Sequence, residues 1–171
     1  MDLLQTSIED LKNFVFDKLS ARPQRTPVAE KLESRIYLVC ERRDYEAVGP
    51  IRDCLGKRGV SVDLPLWDGE QSEIRLDQEA TLQDCDGVLL YYGSASEGWL
   101  REKIRDLRRA RGLGRTRPFV PQGIYIGPDE TEAKKLYSNP EFVVIHNLGA
   151  FDSAFLQPFL ASMEKKQGAA V

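Results

Sequence analysis

The stretch from Gly87 to Arg109, GVLLYYGSASEGWLREKIRDLRR, constrains the fold more than any other part of the chain. Val88, Leu89, Leu90, Tyr91 and Tyr92 are apolar or aromatic without a break, whereas a strand with one face in water alternates. Such a run reads as a strand covered on both faces, the pattern of the middle of a parallel sheet, and it needs helices on both sides. Gly93 breaks the run, Ser94 and Ser96 offer helix N-caps, and Leu100, Ile104 and Leu107 recur at i, i+4 and i+7. Open α/β sheets bind ligands at the carboxyl ends of their strands. The turn from Tyr92 to Trp99 is therefore the first place to look for chemistry.

The rest of the chain alternates in the same way. RIYLVC (Arg35 to Cys40) reads as a first strand. Asp44 then caps a helix with Val48, Ile51 and Leu55 inside, which Pro50 bends or delays and Gly59 ends. VSVDLPLW (Val60 to Trp67) is a second short strand running into the acidic loop WDGEQSE, and a helix spans Ser72 to Asp84. After the third strand and the helix Glu97 to Arg109 come a fourth strand, GIYIG, a short helix within Glu130 to Tyr137, and a fifth strand, EFVVIHN. Asp152 caps a last helix with Leu156, Phe159, Leu160 and Met163 on its core side. The order predicts an α/β fold: an open, parallel, five-stranded sheet in the flavodoxin-like style with helices on both faces. That domain is expected over residues 35–166, followed by a tail, 167–171. Residues 1–34 read as a separate element: Ser7 caps an amphipathic helix with Ile8, Leu11, Val15 and Leu19 on one face, and ARPQRTP is a linker. Its apolar face either packs on the main domain or docks to another chain or domain.

With 171 residues and a net charge of -3, the chain suits one domain with no overall drive toward nucleic acid or an anionic membrane, so any anion binding is local. Cys40, Cys54 and Cys85 lie far apart and are odd in number, which fits reduced thiols in the cytoplasm better than a disulfide framework. With His146 the single histidine, no cysteine and histidine zinc site, and no other metal, is expected. No run has the length of a transmembrane helix, and MDLLQTSIED is acidic where a signal peptide is basic, so the expected address is the cytoplasm.

RIYLVCERRD, the loop PLWDGE, the strand CDGVLLYYG and the S-x-S-x-x-W opening of the next helix, in this order and spacing, resemble a bacterial TIR domain. The resemblance covers about residues 35 to 165. It implies either assembly through surfaces to pass signals to other TIR or sensor domains, or cleavage of NAD+, as substrate rather than cofactor, between nicotinamide and ribose. The implied enzyme is an NAD+ nucleosidase, a glycohydrolase or cyclase, active on self-association and often a bacterial defence effector.

The family's catalytic glutamate lies four residues beyond the tryptophan, and here that position is Lys103. Two glutamates lie nearby. With Leu100, Ile104 and Leu107 inward, Glu102 falls about 160 to 200° away and faces solvent, whereas Glu97 falls within about 60° of the inward face at the helix start. Glu97 is thus the candidate catalytic carboxylate, stabilising the oxocarbenium-like charge that grows on the ribose as nicotinamide leaves. It equally fits a capping box with Ser94. Arg42 and Arg43 match a basic pair in NAD-cleaving TIR domains and can clamp pyrophosphate, or else pair with neighbouring carboxylates. Trp67, Trp99 and Tyr92 can stack on nicotinamide or adenine, or simply pack. The resemblance adds Asp44, Gly93 and Ser94 to the NAD-binding set.

Basic residues crowd Arg101 to Arg117 and acidic ones Asp63 to Asp86. Opposite patches favour head-to-tail self-association, although each is also an ordinary solvated face. Three functions compete: an NAD-cleaving TIR effector, a catalytically inactive TIR interaction scaffold, and a nucleoside deoxyribosyltransferase-like N-glycosidase whose second carboxylate is not identifiable. A receiver domain is excluded because the first strand lacks its acidic magnesium cluster, and no P-loop or dinucleotide glycine fingerprint occurs.

Overall fold

The computed structural model describes residues 34–168, and the helix expected between Ser7 and Leu19 lies outside them. Five strands form one sheet: β1 (Arg35–Val39), β2 (Ser61–Asp63), β3 (Gly87–Tyr92), β4 (Gln122–Ile126) and β5 (Val143–His146), in the order β2-β1-β3-β4-β5 with every pair parallel. This is the flavodoxin-like order, with its switch point between β1 and β3. The continuous apolar run sits where its composition requires: Val88, Leu89 and Leu90 are 0 % exposed and pair with β1 on one side and β4 on the other.

Alternate residues of each strand feed two cores. Tyr37, Val39, Val88, Leu90 and Ile124 meet Leu82 of α2 (Gln71–Asp84) and Leu100, Ile104 and Leu107 of α3 (Glu97–Ala110). Ile36, Leu38, Leu89 and Tyr125 meet α1 (Gly49–Gly56) and α5 (Gln157–Gly168) through Ile51, Leu55, Phe159 and Leu160. The remaining helix, α4, is one turn long (Glu132–Lys135). Asp152 accepts from the N–H of Ala154 and caps a 3₁₀ turn, Ser153–Leu156, that leads into α5. No described helix is long and apolar enough to cross a membrane.

Four local expectations need correction. Asp44 does not cap the first helix: it closes a 3₁₀ turn, Arg42–Asp44, and α1 begins only at Gly49. Pro50 explains the delay, since proline lacks an N–H and is tolerated only in a first helical turn. That helix also stops at Gly56, and Gly59, at φ +76°, instead turns the chain toward β2. β2 is three residues long rather than eight, and Leu64 to Trp67 leave the sheet at the carboxyl edge. Lastly, the α3 cap is Ser96, whose Oγ accepts from the N–H of Trp99 at 3.2 Å. Glu97 is then the first residue of the helix, so the Ser94 to Glu97 capping box does not form.

Candidate functional site

The carboxyl ends of β1 and β3 are tied together beside the switch point. Asp44, 7 % exposed, accepts from the N–H of Ser94 at both carboxylate oxygens, 3.1 and 3.0 Å away. A buried carboxylate needs such partners. Gly93 makes the approach possible: a Cβ there would stand 2.4 Å from the Tyr91 ring and 2.9 Å from Asp44 Oδ1. Its carbonyl in turn accepts from the buried ammonium of Lys134 at 2.7 Å, and the same ammonium reaches Pro128 O at 2.9 Å and lies 5.1 Å from the centre of the Tyr92 ring. Burial pushes the Lys134 pKa down, with Asp129 and Asp44 opposing it. Nothing in the sequence reading pointed to Lys134, because a lysine in a one-turn helix looks like a solvated residue. Asp44, Gly93 and Tyr92 are thus packed into the end of the sheet, while the side chain of Ser94 is exposed.

A cleft of about 690 Å³ opens next to this bridge, over β1 and the loop after β2. Such a size is ordinary for a small-molecule site. Its cations are Arg42 and Arg43 from the turn after β1 and Lys103 from α3; its rings are Trp67, Trp99 and the buried Tyr37. Glu41 is the carboxylate among the lining residues. Trp67 is held by an edge contact to Tyr45, at 5.6 Å between ring centres, and its indole N–H points at Cys40 O, 3.4 Å away. Arg42 reaches across to Asp68 at 2.7 Å in an exposed pair, so the loops after β1 and β2 meet at that point. Lys103, half-buried, has Asp106 Oδ2 at 3.8 Å, and Gln78 donates to the same oxygen at 3.4 Å.

Of the residues singled out from sequence, Arg42, Arg43, Trp67 and Trp99 come together here, whereas Asp44, Tyr92, Gly93, Ser94 and Glu97 are not among the lining residues. Helix geometry explains the division. Taking Trp99 as zero and about 100° per residue, Lys103 is about 40° away, the inward stripe centres near about 100°, and Glu97 lies about 160° round. Glu97 and Trp99 therefore flank the buried stripe on opposite sides. Glu97 forms an ion pair with Arg101, and after burial its charge is the next cause raising the Tyr92 pKa. Glu102 is exposed. Lys103 and Glu41 were the charged lining residues missed as site candidates, along with Tyr37, Gln78 and apolar neighbours; the spacing of four from Trp99 was the available signal for Lys103.

Chemically, two indoles, an arginine pair and a lysine suit a ligand with flat rings and several negative charges. Among the described residues, no three His, Cys, Asp or Glu side chains gather as a metal site. Neither a scan against protein-family models nor a search of curated proteins finds a match to the chain.

Proposed function

We propose that the domain is a TIR-like signalling module that holds a dinucleotide such as NAD+ in the Trp67 and Trp99 cleft without cleaving it. The observation that carries this reading is Lys103 on the cleft wall, one turn beyond Trp99. Cleavage of the nicotinamide bond builds positive charge on the ribose carbon, which a carboxylate stabilises and an ammonium opposes. Binding makes the reverse demand, because pyrophosphate is an anion and arginine forks match it.

The enzymatic reading is favoured by a different observation: Glu97 is half-buried on the first turn of α3, beside Tyr92 at the strand ends. One experiment separates the two. Both tryptophans of the chain line the cleft, so intrinsic fluorescence reports on that site. Titration with NAD+ is expected to quench it saturably, while chromatography of the same samples, with and without a crowding agent, shows no free nicotinamide. Nicotinamide release that disappears in Glu97→Gln replaces this proposal with the nucleosidase reading, and a signal unchanged at high NAD+ concentration removes NAD+ as the ligand.

Signalling requires a partner, and the proposed one is a second copy of the chain. Arg105 and Arg109 on α3, and Glu70 and Glu73 at the start of α2, are exposed and make no salt bridge among the described residues. Head-to-tail contact between such patches weakens as salt shortens the Debye length to about 8 Å at physiological ionic strength. Sedimentation of a monomer at every salt concentration rules this contact out. Cytoplasmic residence is proposed with it, on the three free thiols.

A further inference from the structure

The cleft presents cations on two separate elements. Arg42 and Arg43 sit together on the turn after β1, while Lys103 stands apart on α3; Glu41 is the carboxylate among the lining residues, and Arg42 is already paired with Asp68 at 2.7 Å. The whole chain has a net charge of -3, so any attraction for an anion here is local. Lys103 makes no hydrogen bond among the described residues. Its counter-charge, Asp106 Oδ2, is 3.8 Å away, beyond hydrogen-bonding distance, and is shared with the Gln78 amide. An ammonium has three N–H donors, and its charge on the wall of a half-enclosed cleft favours an anionic ligand group. If the arginine pair takes a pyrophosphate, a second cationic point on a different element calls for a second anionic group on the same ligand.

We infer that Lys103 makes the cleft select nucleotides carrying one phosphate beyond the pyrophosphate. The chemistry has two sources, a nucleoside triphosphate or a dinucleotide with a ribose phosphate, and Lys103 reads the added phosphate in either. This inference rests on the proposed nucleotide-binding role of the cleft.

The test uses tryptophan fluorescence on the full chain with two ligand pairs that differ by a single phosphate: ATP against ADP, and NADP+ against NAD+. In at least one pair the added phosphate is expected to tighten binding about tenfold, the scale of one hydrogen bond to a charged group; which pair responds identifies the source. Lys103→Met keeps the length and helix propensity of the side chain and removes the charge, so the preference should vanish while the melting temperature holds. Lys103→Arg restores the charge and should restore the preference. Equal affinity within both pairs, or a preference that survives in Lys103→Met, overturns the role of Lys103 and leaves the binding reading standing. No fluorescence change with any of the four nucleotides overturns both.

Discussion

Gly93 is gripped from two directions: its carbonyl takes the Lys134 ammonium, and the next N–H, that of Ser94, goes to Asp44. Both charged groups are buried, so each depends on the other end of its hydrogen bonds to offset the loss of water. The clamp joins the loop after β1 to the loop after β3 and to α4, and it fixes the chain beside the cleft from which Arg42 and Arg43 project. Asp44→Ala leaves the Ser94 N–H without its acceptor and is expected to cost about 1 to 3 kcal/mol of stability, read as a lower urea midpoint. Asp44→Asn retains one acceptor oxygen and should cost less. A loss for Asp44→Ala within about 0.5 kcal/mol, the range of ordinary surface changes, shows that the clamp is not structural.

At the scale of the element, α3 divides the chemistry. One flank presents Trp99 and Lys103 to the cleft, the middle stripe enters the core, and the other flank carries Glu97. Its start decides this phase, because the cap at Ser96 sets the first turn. Two serines compete for that role in the sequence, and stability distinguishes them. Ser96→Ala removes the acceptor for the Trp99 N–H and is expected to cost about 1 kcal/mol, whereas Ser94→Ala removes only an exposed hydroxyl and should be nearly neutral. Equal melting temperatures for the two variants contradict the observed cap.

Over the whole molecule, burial of both sheet faces makes stability depend on alkaline pH. Burial pushes the Cys85 thiol from 9.0 up to about 11 and the Cys40 thiol up to about 12, and it pushes Tyr91 from 10.0 up to about 12. Each group keeps its proton to higher pH folded than unfolded. Their contribution is therefore complete below pH 9, where even the unfolded thiols are protonated, and is lost as pH rises through the folded values. Lys134, shifted down, acts the other way in the window just below 10.5, as the unfolded chain then holds the extra proton. Burial raises Tyr37, Tyr92 and Tyr125 as well, so the groups acting with the thiols outnumber Lys134 and predict a net fall above pH 9. Cys85 alone represents about 3 kcal/mol, from about two pKa units. Urea midpoints from pH 8 to 11 should decline, and the decline should be shallower in Cys85→Ala; an identical slope in the variant removes Cys85 from the account.

What the sequence determined by itself was the set of elements. Val88 to Tyr92 could only be a doubly covered strand, and Leu100, Ile104 and Leu107 could only be one inward stripe, because apolar periodicity is a local property and burial acts on it directly. The second strand was read too long, past Pro65, and Asp44 was given the cap of the first helix, although the delay that Pro50 imposes on that helix was legible in the chain. The spacing that puts Lys103 on the same flank as Trp99 was present too. Which flank faces the arginines was not. Glu97 and Trp99 lie on either side of the buried stripe, about 60° and about 100° from its centre, and only the placement of β1, its loop and α2 beside one of them decides which side chain enters the cleft. The same holds for Asp44 and Ser94, fifty residues apart, whose bond exists because β1 and β3 are neighbours in the sheet. Partners of a buried charge are chosen by tertiary contact, since the energy that selects them arises only when water has been removed.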